Sequence, residues 1–578
     1  MYKKLAKSIR EYKRDTLLSP LFVTLEVIME CLIPFVISNL VNNIRDGAGM
    51  NLVLKDGLIL VMMALLSLSF GIIAAVVCSR ASTGFAKNLR KDMFYSIQNY
   101  SFENIDKFST PSLVTRLTTD ITNVQMAFMM LIRVAVRSPL MLIFAFFMAF
   151  KLGGKMAWIF VVVVPILGFG IFGIALKAMP IFRRIFKKYD ALNSSVEENV
   201  KAIRVVKSFD REEYEKEKFN KASGEVKNDF TSVERLLAWN GPLMQFCLYA
   251  VMVFVISFGS YLIMSTHGRE LDVGQYSALL TYSFMILSSL MMFSMVFVML
   301  TMSREAVERI VQVIDEKPTL ANPENPVMSV DNGSIDFKKV SFKYSAKAKK
   351  NALSDIDLHI KSGETIGIIG GTGSSKSTLI QLIPRLYDAT EGCVKVGGRD
   401  VKDYDIKTLR DAVSVVLQKN TLFSGTIIEN LRWGNKEASI EEIKEACRLS
   451  CADEFIEQFP DKYETHIEQG GTNVSGGQKQ RLCIARAILK KPKILIMDDS
   501  TSAVDTKTDA YIRAAMKESL PETTKIIIAQ RTSSIENADK IIVLDNGRIN
   551  AIGTHNELIE NNAIYKEIYI SQNKQEKD

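Results

Sequence analysis

Apolar and polar positions divide the chain into two halves of different texture. Two stretches, Gly57 to Cys78 and Met156 to Leu176, each run about 21 residues without one charged side chain, enough for a helix to cross a ~30 Å hydrocarbon layer. Four more apolar stretches, at Leu17 to Val41, Phe128 to Phe150, Leu237 to Thr266 and Tyr276 to Met302, bring the expected number of membrane helices to six. The connection Lys151 to Lys155 is a few residues, whereas Ser79 to Val124 and Lys177 to Glu234 are long and basic. The start "MYKKLAKSIREYKR" is basic too. Lysine and arginine are retained on the cytoplasmic side, so the long connections and both termini are expected in the cytoplasm of a multi-pass protein of the cell membrane. The first span lacks a small-residue cleavage site and is expected to be kept as a helix.

After the sixth stretch the pattern changes. Residues Ser303 to Ile314 keep a helical period but become charged, and Pro318, Pro323 and Pro326 then interrupt it. From Ser334 short β-rich runs alternate with helical stretches. The expected organisation is an all-α six-helix transmembrane domain over 1–303, a linker over 304–333 and an α/β domain over 334–578. The formal charge of +8 is explained mostly by residues flanking the spans, and nucleic acid is not needed to account for it. Seven cysteines include no C-x-x-C pair, as expected of a reduced compartment.

Candidate chemistry lies in the second half. The strand "ETIGIIG" leads into "GGTGSSKSTLIQLI", so Gly370, Gly371, Thr372, Gly373, Ser374, Ser375, Lys376, Ser377 and Thr378 form a loop opening a helix. Consecutive backbone N–H groups and a helix N-terminus converge there on phosphates, with Lys376 reaching the outer phosphate oxygens and Ser377 completing a magnesium shell. Ser375 stands where G-x-x-x-x-G-K-[ST] has its second glycine. The apolar strand "ILIMDD" places Asp498 beside that magnesium, and the next residue, Asp499, at the position of the base that activates water.

Between these motifs lies "NVSGGQKQRLCIARAIL", whose Ser475, Gly476, Gly477 and Gln478 closely resemble the signature of ATP-binding cassette proteins. The resemblance covers essentially the whole chain, since six spans followed by one cassette is the layout of an ABC exporter half-transporter. It implies ATP and Mg2+ as cofactors, adenine stacking on Tyr344, Gln418 as a contact to magnesium and the attacking water, and Asp505 at the end of "STSAVD", the loop that meets the opposite nucleotide site. Three departures from the family pattern, Ser375, Asp499 and Gln530, fall in this chain's own phosphate-loop site. Asp499 replaces the usual Glu, which withdraws the carboxylate by about 1.5 Å, and a displacement of ~1 Å can cost a catalytic group ~100-fold. Gln530 replaces the usual His and cannot carry a proton or a positive charge. The signature is nearly intact, with Val474 for leucine.

Family cassettes pair head to tail, so the pattern resembles that of heterodimeric bacterial multidrug exporters with one degenerate site. A second, non-identical half-transporter is the implied partner, alongside membrane lipids and a small amphipathic substrate. A lipid or peptide exporter, a homodimer and a non-catalytic ATP-sensing subunit are alternatives. Tips of the long connections, near Asp106 to Leu113 and Ala202 to Phe209, are candidates for contacts with the cassettes. Six methionines in the last span offer a soft surface for varied apolar ligands. Glu26 and Glu30, and likewise Arg133 and Arg137, lie one helical turn apart within spans, where an unpaired charge is expensive.

Overall fold

Charge-free runs of this length satisfy every backbone group only as helix once water is absent. A computed structural model describes residues 1–267, 269–345, 348–500 and 504–573, and they divide into two compact units. The first comprises Met1–Gln98 and Ser109–Glu316, the second Asn99–Phe108 and Lys317 onward.

In the first unit the long helices are Lys13–Arg45, Met50–Gln98, Val134–Gly153, Trp158–Lys201, Glu212–Leu237, Asn240–Thr266 and Val273–Asp315. Among the described residues five helical runs, not the expected six, are long and apolar enough to cross a membrane. Two of the expected spans fall within one run, Thr110–Phe182. That run is interrupted by a short 3-10 turn at Gly154–Ala157, entered through Gly154 at φ 49°. The last helix continues to Asp315, into the stretch expected as linker.

Packing separates lipid-facing from interior helices. Only 6% of the most apolar window of Met50–Gln98 is buried, and Leu54, Leu58 and Leu65 are all more than half exposed, a surface suited to lipid rather than water. The interior is built mainly of aliphatic side chains and methionine, with Ala145, Ala149, Phe160 and Tyr282 fully covered among them. Tyr282 Oη donates to the carbonyl of Cys31 at 2.7 Å. Close approach is enforced at Gly274, where a Cβ would lie 2.0 Å from the Ser38 carbonyl oxygen.

The second unit is built on two sheets. The first is antiparallel, with β1 (Ile335–Phe342) between β2 (Leu353–Ile360) and β4 (Glu391–Val396). The larger uses β3 (Thr365–Ile369), β5 (Val413–Val416), β6 (Ile494–Asp498), β7 (Thr524–Ile528), β8 (Lys540–Asp545) and β9 (Arg548–Gly553). Its order is β9-β8-β3-β7-β6-β5, parallel except for the edge strand β9. β6 and β7 are buried along their whole length, as a sheet covered on both faces requires.

An ion pair between a buried aspartate and a partly exposed arginine ties the first unit together at the base of the last helix. Asp120, 1% exposed, accepts from Arg309 Nε and Nη2 at 2.7 and 2.6 Å. Asp120→Asn is expected to cost about 2 kcal/mol, as befits hydrogen bonds to a charged group, and to lower the melting temperature of the detergent-solubilised protein. An unchanged melting temperature would contradict this.

Candidate nucleotide site

Ligands of open α/β sheets bind beyond the carboxyl ends of the parallel strands. Register brings four such ends together. Ile528 of β7 pairs with Asp498 of β6 and with Ile368 of β3, and Val416 of β5 pairs with Met497. Gly370, Gln418, Asp499 and Gln530 each follow their strand by one or two residues, so one edge of the sheet gathers them.

The loop after β3 has the geometry of a phosphate cradle. A Cβ on Gly370 would meet the Leu544 carbonyl oxygen at 2.1 Å, while beside Gly371 and Gly373 there is nothing within 4 Å. Ser375 holds φ 71°, ψ 26° immediately before the helix Lys376–Gln381. This left-handed conformation explains why the common pattern has glycine there: Ser375 occupies it at a cost of about 1 kcal/mol. Lys376 Nζ curls into the loop, donating to the carbonyls of Gly370 and Gly371 at 2.8 and 2.9 Å and reaching Ser374 Oγ at 3.3 Å. Burial holds its pKa below the ordinary lysine value, opposed by Asp498 and Asp499.

Asp498 ends β6 largely buried, and burial raises its pKa against a hydrogen bond from Ser377. The oxygens of Ser377, Asp498 and Gln418 are hard donors that suit Mg2+. Among the described residues no three His, Cys, Asp or Glu side chains cluster as a metal cage. The set therefore fits an ion held partly by nucleotide phosphates, and such an ion supplies charge neutralisation of those phosphates when bound.

Asp499 sits at φ 49°. Its Oδ2 accepts from Gln530 Nε2 at 2.8 Å and from Gln418 Nε2 at 3.2 Å. The two substitutions noted in the sequence are thus physical partners. Burial raises the pKa of Asp499, while both amides lower it, and the direction that prevails is up.

Tyr344 stands at the edge of this site, 45% exposed. Its hydroxyl lies 2.9 Å from Thr378 Oγ1 and donates to Gln381 Oε1 at 3.1 Å. Tyr387, which the sequence reading missed, packs edge-on against Tyr344 with ring centroids 5.3 Å apart. Tyr387 also donates to Asp106 Oδ2 at 2.6 Å and touches the ring of Phe102. Phe102 and Asp106 belong to the short helix Phe102–Lys107, so the contact includes Asp106 of the expected Asp106 to Leu113 and begins a few residues before it. The second tip is the helix Ile203–Ser208, with Val205 and Phe209 exposed.

The signature residues open the helix Gly476–Leu489. Ser475 and Gln478 form a reciprocal cap, Gln478 N donating to Ser475 Oγ at 3.3 Å and Ser475 N to Gln478 Oε1 at 2.9 Å. Gly476 and Gly477 form its first turn. Asp505 caps the helix Thr506–Ser519 by accepting from Thr508 N at 2.9 Å, and that bond lowers its pKa. Thr501, Ser502 and Ala503, within "STSAVD", lie outside the described residues.

A phosphate-binding α/β domain carrying this signature, in one chain with apolar helices long enough to span a bilayer, defines a nucleotide-driven membrane transporter. Residues 16–291 match the ABC transporter transmembrane region and residues 353–502 the ABC transporter domain, and the chain belongs to the ABC transporter family. It is 33% identical over 547 residues to the uncharacterized ABC transporter ATP-binding protein YfiB of Bacillus subtilis, covering 95% of this chain and 94% of that one. Identity is 34% over 573 residues to the uncharacterized ABC transporter ATP-binding protein Rv1273c of Mycobacterium tuberculosis, covering 98% and 97%. The fold matches that of a bacterial Atm1-family ABC exporter with ATP bound, at a TM-score of 0.83 and 24% identity over 97% of this chain and 98% of that one.

Ser375→Gly is expected to relieve the left-handed strain and stabilise the domain by about 1 kcal/mol, read as a rise in the denaturant midpoint of the nucleotide-binding unit in the full chain. A fall in that midpoint would contradict the strain assignment.

Proposed function

We propose that the chain is one subunit of a heterodimeric ABC exporter that moves amphipathic compounds out of the cell. In this reading its six spans lie in the cytoplasmic membrane with both termini inside. Its own Lys376 site holds ATP with Mg2+ but turns it over slowly, while its Ser475–Gln478 signature completes a competent site on an unlike partner. The observation that carries the reading is the Asp499 carboxylate, one methylene short and tethered by the amides of Gln418 and Gln530.

A general base must come within hydrogen-bond reach of the water it activates. Asp499 has the basicity for that role but holds its carboxylate back, and Gln530 supplies no cation for the γ-phosphate. Binding needs neither property: the cradle, Lys376, Ser377 and Asp498 remain. ATP held across two cassettes would favour one conformation of the membrane helices, and its loss the other.

Purified alone in nanodiscs, the chain is expected to hydrolyse ATP slowly. Asp499→Glu with Gln530→His is expected to raise the rate at least tenfold, within the ~100-fold that about 1 Å of misplacement costs. Rapid phosphate release from the unmodified chain alone would instead favour a homodimer with two working sites.

A further inference from the structure

A cavity of about 980 Å³ in the first unit is walled by eight methionines. Met129 and Met130 precede Arg133, Met141 follows it, and five more lie on the last helix, Val273–Asp315. This volume is at the upper end for small-molecule sites, and thioethers on unbranched side chains repack around ligands of varied outline.

Its polar lining is one-sided. Arg133 and Arg137 face the cavity, and no aspartate or glutamate does. Arg137 is already neutralised: it bonds Glu26 through Nη1, and its Nη2 donates to Glu30 Oε1 and Oε2 at 2.9 and 2.8 Å. Arg137 thus occupies both carboxylates that a cationic ligand would need.

Arg133 is different. Among the described residues its guanidinium has no hydrogen bond and no ion pair. It stands at a break between the helices Ile121–Ile132 and Val134–Gly153, with φ −115° and ψ −67°. Ser138, Ser288 and Ser289 also line the cavity, but each donates its hydroxyl to a carbonyl of its own helix. Asn240 adds a buried Oδ1 that has no partner among the described residues, a place for a ligand hydroxyl. Five N–H donors on a permanently charged group at membrane depth call for an acceptor.

We propose that this cavity receives an amphipathic anion, its oxyanion head paired with Arg133 and its apolar body against the methionines. The proposal rests on the reading of the chain as an exporter of amphipathic compounds and narrows it to one sign of charge. The head belongs either to a soluble amphiphile or to an anionic phospholipid.

The test is equilibrium binding to the assembled transporter in phosphatidylcholine nanodiscs, with tritiated taurocholate as the anion and tetraphenylphosphonium as the cation. Taurocholate is expected to bind saturably, and Arg133→Gln to weaken it about tenfold or more, the usual effect of losing a hydrogen bond to a charged group. Arg133→Lys is expected to retain most of the affinity. Tetraphenylphosphonium binding should not weaken in Arg133→Gln. With the unmodified transporter, a bile alcohol of the same ring system but without the sulfonate is expected to bind about tenfold more weakly than taurocholate; equal binding would overturn the proposal without any variant. Unchanged taurocholate affinity in Arg133→Gln would also overturn it. Binding of the cation alone would sink the anion assignment and leave the amphipath exporter standing, whereas saturable binding of neither probe would sink both. Phosphatidylglycerol that competes with taurocholate would identify lipid as the source of the anion; absence of competition would identify a soluble amphiphile.

Discussion

The Asp499 carboxylate, held by two glutamine amides at the end of a buried strand, is the contact on which the account of this molecule turns. It exists because β5, β6 and β7 are parallel and in register, so that residues far apart in sequence emerge at one sheet edge. Asp499 accepts from both Gln530 and Gln418, so the residues at 499 and 530 that depart from the family pattern are in direct contact.

In the proposed function, two demands on a nucleotide site separate. Holding phosphates requires a concave run of N–H groups, a cation and room, which the Gly370–Thr378 loop and Lys376 provide. Cleaving them requires a base at the right distance. The structure retains the first set whole, even at Ser375, where a non-glycine residue accepts a left-handed backbone rather than let the loop change shape. In the membrane unit a similar division applies to charge. Arg137 is closed off by Glu26 and Glu30 and fixes helices to one another, while Arg133, one turn away, lines the methionine-walled cavity with no ion pair among the described residues.

Much of this was legible in the sequence where chemistry dictates residue type. Phosphate binding demands its glycines and lysine in a fixed order, and the apolar run before Asp498 could only be a buried strand. The Ser475 and Gln478 spacing likewise encodes its own helix cap. Long-range partnership was not legible: nothing local says that Gln530 reaches Asp499, or that Tyr387 joins Tyr344 to Asp106. The first connection tip includes the expected Asp106 but begins earlier, because the reciprocal cap of Ser101 and Asn104 starts a helix at Phe102. The helix break at Arg133 had no local signal, since neither glycine nor proline stands there. Hydropathy found the apolar stretches, but the turn at Gly154 is so short that two of them fall within the single helical run Thr110–Phe182.

The central claim concerns what remains in this chain's own pocket after the transporter has worked. The direct measurement is to let the assembled transporter turn over labelled ATP, separate it rapidly from free nucleotide, and identify by photocrosslinking and chromatography what is held beside Lys376. Intact ATP in that pocket, with ADP in the partner's, is the predicted result. ADP found equally in both would contradict the account.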